Sequence, residues 1–142
     1  MQKLLRGTSV LLFALLGLFL IAFGALYASV QDMLWFHAAA VPEAVRADIR
    51  PLYFALMKLI GGSSAALGSL GLYVTFGPLR KGGAFAATML AATYAAPVLM
   101  AAYVAETLAA KTGSPTSWHI MGVLLAVTAL AWLTRLLSGD KR

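Results

Sequence analysis

The chain has 142 residues, 61% of them hydrophobic and 11% charged, with a formal charge of +6 at neutral pH and no cysteine. Soluble domains carry about 25% charged residues, so this composition cannot cover a water-facing surface on all sides. Lack of cysteine excludes disulfides, thiolate metal sites, iron–sulfur clusters and thiol relays, and neither of the 2 histidines has a carboxylate at ligand spacing to form a local metal motif.

The apolar residues fall into uncharged runs from Gly7 to Gln31, Leu59 to Leu79, Gly82 to Ala105 and Thr112 to Thr134. Each is long enough for a helix to cross roughly 30 Å of hydrocarbon, which takes about 20 residues. The predicted fold is all-α: a polytopic membrane protein forming an antiparallel four-transmembrane-helix bundle with a short outer interfacial helix. It is read as a single transmembrane domain over 1–142, with helices at about 8–30, 52–77, 83–109 and 117–137 and an outer loop at 31–51.

The first helix follows a basic start, Met1 to Arg6, and small residues near Ala25 to Ser29 resemble a signal-peptidase site. Its apolar stretch is longer than the 7 to 15 residues typical of a signal peptide, so a retained helix is expected. Ala14, Gly17, Gly24 and Ala28 give it a small-residue stripe that lets another helix approach. In the loop, Met33 to Phe36 suit the outer interface, and Pro42 to Arg46 reads as a short surface helix before Pro51 starts the second span.

The second span has a small face of its own in Gly61, Gly62, Ser64, Ala65, Gly68 and Gly71. The tight turn Gly77 to Gly83 predicts that the second and third spans are antiparallel neighbours. Pro97 is expected to kink the third span. Trp118 and Trp132 read as interfacial anchors of the fourth, with Arg135 snorkelling to phosphates.

Basic residues set the orientation. Lys3, Arg6, Arg80, Lys81, Arg135, Lys141 and Arg142 fall on one side against Asp140 alone, whereas Arg46, Arg50, Lys58 and Lys111 balance Asp32, Glu43, Asp48 and Glu106 on the other. By the positive-inside rule both termini are cytoplasmic; a bacterial inner membrane is the location expected from the family resemblance given below. Orientation accounts for the basic charge, so nucleic acid is not an expected partner.

Charged groups inside apolar spans are costly and mark candidate sites. Lys58 precedes the Arg80–Lys81 turn by nearly as many residues as Glu106 follows it, which puts the two within about 4.5 Å of the same depth. With His119, His37, Asp32 and Tyr103 they define a candidate polar pocket at the outer end, in which Lys58 and Glu106 are expected to face each other. Snorkelling or a structural ion pair is the competing account of the two charges.

The stretch Leu56-Met57-Lys58-Leu59-Ile60-Gly61-Gly62, followed by Ala66-Leu67-Gly68, a basic turn and an Ala-rich helix, resembles the middle hairpin of DoxX-like membrane proteins over about Arg6 to Ala105. That family consists of small four-helix bacterial proteins, some associated with quinone-linked sulfur oxidation or with assembly of other membrane proteins. It often shows Glu-x-x-Gly-Gly where this chain has Lys58, so an acidic function does not carry over.

No nucleophile–base pair, metal set or phosphate loop is visible, so no catalytic residue is assigned. The leading expectation is an accessory or interaction subunit without catalysis, partnered by membrane lipids and by another membrane protein or a second copy. The alternative is a binder of a lipid, quinone or other amphipathic molecule at the outer-leaflet pocket, within a redox complex. No cofactor is assigned; quinone, or haem held by His37 and His119, are the groups to test. Proton-coupled transport is weaker, because the first and fourth spans carry no charge at mid-membrane.

Overall fold

A computed structural model of the chain describes residues 1–81 and 83–139. Gly82, which opens the third apolar run, and Asp140, Lys141 and Arg142 of the charge count lie outside the described residues. The described residues form helices α1 (Gln2–Ala28), α2 (Trp35–Ala38), α3 (Arg46–Phe76), α4 (Pro78–Lys81), α5 (Ala84–Thr112) and α6 (His119–Leu137), with a 3-10 turn at Glu43–Val45. Among the described residues, four helical segments are long and apolar enough to cross a membrane: Gln2–Ala28, Glu43–Lys81, Ala84–Thr112 and His119–Leu137.

Element boundaries differ from the sequence expectation where polar contacts extend a helix. The expected surface helix at Pro42 to Arg46 is a 3-10 turn running straight into α3, and a separate short helix, α2, lies upstream. Arg46 explains the extension, since its Nε and Nη2 donate to Val41 O at 3.0 Å and Ala38 O at 2.9 Å and hold the loop against the start of α3. Pro51 therefore sits inside α3 rather than starting it. Helix α5 continues through Pro97 to Thr112 and ends at Gly113, whose φ of 67° is a left-handed cap that glycine adopts without strain. The connection at Pro78–Lys81 is an additional helical turn.

Helix α1 is the centre of the packing. It lies against α3 and α6, and α6 in turn packs on α5. Rising positions on α1 meet falling positions on α3: a methyl on Gly68 would lie 2.5 Å from Gly17 O, and one on Gly61 2.5 Å from Gly24 O and Ala28 N. The two helices thus run in opposite directions and touch backbone to backbone. This is the contact that small-residue stripes permit where apolar surroundings supply no hydrophobic drive.

The expected pairing of the second and third spans needs correction, because α3 and α5 scarcely meet along their lengths. A short connection fixes their ends but not their faces. The glycines of α3 match those of α1, whereas α5 has no glycine to accept a close backbone. Tyr94 of α5 reaches across instead, its hydroxyl seated where a methyl on Gly71 would stand and its ring tilted against Phe13 at 6.3 Å. Phe13, Leu16, Leu20, Leu79, Ala87, Leu90, Tyr94 and Ala131 form the core.

Five threonine hydroxyls are satisfied within their own helices. Thr75, Thr88, Thr93, Thr107 and Thr128 each donate to the carbonyl one turn back, at 2.7–2.9 Å. Ser9 instead donates to Ala131 O at 2.7 Å and ties α1 to α6, while Trp132 donates its indole N–H to Thr88 at 3.0 Å and ties α6 to α5. Trp132 is therefore an internal strut as well as a helix-end residue. Arg6 donates to Gly139 O at 2.6 Å, so both chain ends lie at one end of the molecule with α4, called here the terminal end. The opposite, loop end carries α2 and the turn at Gly113 and Ser114, joined where Ser114 Oγ donates to Phe36 O at 2.6 Å.

Candidate functional site

The residues expected to share one outer pocket separate into two clusters at the loop end and one outlier. In the first cluster, between α2 and α3, Arg50 binds Asp32 at 2.7 Å and lies over the Phe54 ring at 5.5 Å. Tyr53 accepts a hydrogen bond from Leu34 N–H at 3.1 Å and stands 3.0 Å from His37 Nδ1. A neutral imidazole protonated at Nε2 accepts the Tyr53 hydroxyl hydrogen in that arrangement. Burial lowers the His37 pKa from its ordinary 6.5, which favours this neutral form. Tyr27 and Phe36 complete the aromatic surround of His37.

The second cluster joins the end of α5 to the start of α6. Glu106 accepts from Trp118 N–H at 3.2 Å, capping α6 with a carboxylate at the positive end of the helix dipole. Thr116 donates to Ala105 O at 2.8 Å and holds the same corner. His119 bonds Ser117 and stacks on Trp118 with ring centroids 4.8 Å apart. Glu106 and His119 are thereby brought together, while Tyr103, 68% exposed, stands on the outer face of α5.

Lys58 is the outlier. It is exposed and forms no ion pair with Glu106, contrary to the expected face-to-face arrangement. Helix rotation explains this. Lys58, Gly62, Ala66, Ser69 and Tyr73 follow one another at helical spacing down an exposed face of α3, opposite the face that Met57, Gly61, Gly68, Gly71 and Thr75 bury. Equal arm lengths fix depth but not direction. His37 and His119 lie in different clusters, each engaged by its own neighbour.

Two features escaped the sequence reading. Tyr94 is 1% exposed and its hydroxyl has no hydrogen-bond partner among the described residues. The spacing of Gly17 and Gly71, each with room for an inserted ring, was the available signal. Arg135, expected to snorkel to phosphates, is 3% exposed and donates to Ser138 Oγ at 2.8 Å. Among the described residues no group of three or more His, Asp or Glu could hold a metal ion.

No family model matches the chain, and no curated protein or solved structure is significantly similar to it.

Proposed function

We propose that the chain is a multi-pass membrane protein, an antiparallel bundle with cytoplasmic termini, acting as a non-catalytic packing or interaction subunit in a bacterial inner membrane. The observation that carries this reading is the contrast across α3. A methyl on Gly61 would collide with α1 backbone, whereas one on Gly62 would meet nothing within 4 Å. Gly62, Ser63, Ala66 and Ser69 offer a second small-residue surface, uncovered, with Lys58 at its head. Such a surface suits close approach of another transmembrane helix, and an acidic group on that helix would meet Lys58. The DoxX-like resemblance of Arg6 to Ala105 agrees with this class.

A second reading is a lipid, quinone or other amphipathic molecule entering beside Glu106, Tyr103 and His119, where α3 and α5 scarcely meet. Native mass spectrometry from mild detergent separates the two. A second protein chain retained on the protein supports the subunit reading; a monomer with one stoichiometric small molecule supports the binder. The topology has its own test in the cysteine-free chain. An impermeant thiol reagent on intact cells should label Lys111→Cys and spare Lys81→Cys, and the reverse pattern would refute the orientation.

A further inference from the structure

Helix α2 is 4 residues long, too short to persist by its own backbone bonds, so its position depends on what holds it. One holder is Tyr53 of α3. Its hydroxyl accepts from Leu34 N–H at 3.1 Å and lies 3.0 Å from His37 Nδ1, so a single oxygen grips the start of the turn and its side chain together. A second is Arg46, which reaches Val41 O and Ala38 O. The third is Ser114 of the α5–α6 turn, which donates to Phe36 O at 2.6 Å. Along their lengths α3 and α5 scarcely meet, and α2 spans the loop-end opening between α3 and that turn.

Of these contacts only the one at His37 changes charge near neutral pH. Neutral imidazole offers an acceptor to the Tyr53 hydroxyl hydrogen, and imidazolium offers none. With His37 protonated, the Tyr53 oxygen faces two donors, Leu34 N–H and His37 Nδ1–H, while its own hydrogen loses its acceptor. The groups that face the ring give the new charge no counterpart. Tyr27 of α1, Tyr53 of α3 and Phe36 of α2 itself surround it with uncharged rings, and the α5–α6 turn meets α2 through the Ser114 hydroxyl. Asp32 is engaged by Arg50 at 2.7 Å, Glu43 and Asp48 stand exposed, and Arg46 and Arg50 add positive charge to the same loop.

We infer that α2 is an acid-released strap: when His37 takes up a proton, Tyr53 lets go of the turn and the loop-end opening between α3 and the α5–α6 turn is uncovered. Arg46 and Ser114 then hold only carbonyls of a turn that has lost its anchor at the start. The sign follows from burial, which keeps the pKa of strapped His37 below 6.5, so the released and solvated ring binds the proton more tightly. The strap is closed above about pH 6.5 and opens as pH falls through that value toward the lower pKa of the strapped form. Lys58 and the small-residue face below it take no part in these bonds, so the strap and the partner surface can fail independently.

Hydrogen–deuterium exchange of the intact chain in detergent tests this, with each rate divided by its intrinsic value so that pH acts only through structure. The amides of Ala38, Ala39, Ala40 and Val41, which bond within the turn, report the strap. Their protection should fall about tenfold between about pH 7.5 and about pH 5, while that of α1 and α5 holds. His119→Gln, which removes the other histidine, should leave the fall intact, and His37→Gln should show equal protection at both pH values. Tyr53→Phe should be as weakly protected at the higher pH as the unaltered chain is at the lower. Equal protection at both values in the unaltered chain would overturn the proposal, as would a fall that persists in His37→Gln or vanishes in His119→Gln. A fall shared equally by α1 and α5 would overturn it too, because the whole fold rather than the strap would then be responding.

Discussion

The two faces of α3 contain the same kinds of residue and have opposite surroundings. On one, Gly61, Gly68 and Gly71 are filled by α1 backbone and by Tyr94; on the other, Gly62, Ala66 and Ser69 are bare. Small residues are therefore not a measure of packing by themselves. What distinguishes the faces is whether a complementary stripe exists within the chain, and α1 supplies one stripe only. The bare face, headed by Lys58, is the part of the molecule whose composition its own fold does not explain.

The largest expected effect breaks or upholds that contrast directly. Gly61→Leu must push α1 away and should cost about 3 kcal/mol or prevent folding, whereas Gly62→Leu should change stability by less than about 1 kcal/mol. Chemical unfolding in detergent measures both, and similar losses would mean that the faces are not distinct.

Arg46→Ala comes next. It removes two carbonyl contacts that join the loop to the start of α3, for an expected loss of about 1 to 2 kcal/mol in the same assay. Replacing Asp32 by Asn should matter less, about 0.5 kcal/mol or under, because that ion pair is solvent-exposed.

Tyr94→Phe sharpens the filled face with the opposite sign. Its ring fills the Gly17–Gly71 gap while its hydroxyl is buried without a partner, so the substitution should preserve or raise stability, by up to about 1 kcal/mol. A clear loss would show that the hydroxyl has a bonding role.

The smallest effect is a pH dependence at the head of the same face. His37 is neutral when folded, with a pKa held below 6.5 by burial, so the unfolded chain binds its proton first as pH falls. Its contribution is present above about pH 6.5 and declines as pH drops through that value toward the lower folded pKa. His37→Gln should flatten melting temperature against pH over that window.

Long apolar runs made the four helices legible from sequence, and the small stripe on α1 foretold its close contact, because Gly17 and Gly24 are spaced to meet a partner helix. Helix partnership was not legible. Chain adjacency suggested that α3 should pair with α5, but a turn constrains ends while matched glycine faces choose neighbours. The candidate site fared likewise. Lys58 and Glu106 were placed at similar depth by counting residues, but counting does not fix rotation, and Lys58 turns out on the bare face. Arg46 bonds to loop carbonyls that no residue pattern announces, so the start of α3 was misplaced. Glu106 and His119 were brought together by the turn between α5 and α6, where the sequence separation is short enough for proximity to follow.

The bare face of α3 is tested most directly by cysteine cross-linking in native membranes. Gly62→Cys and Ser69→Cys, in a chain with no other thiol, should form bis-maleimide adducts with a second membrane protein or a second copy of the chain, while Leu99→Cys on the exposed side of α5 should not. Adducts at Leu99→Cys as abundant as at Gly62→Cys, or none at either α3 position, would contradict the account.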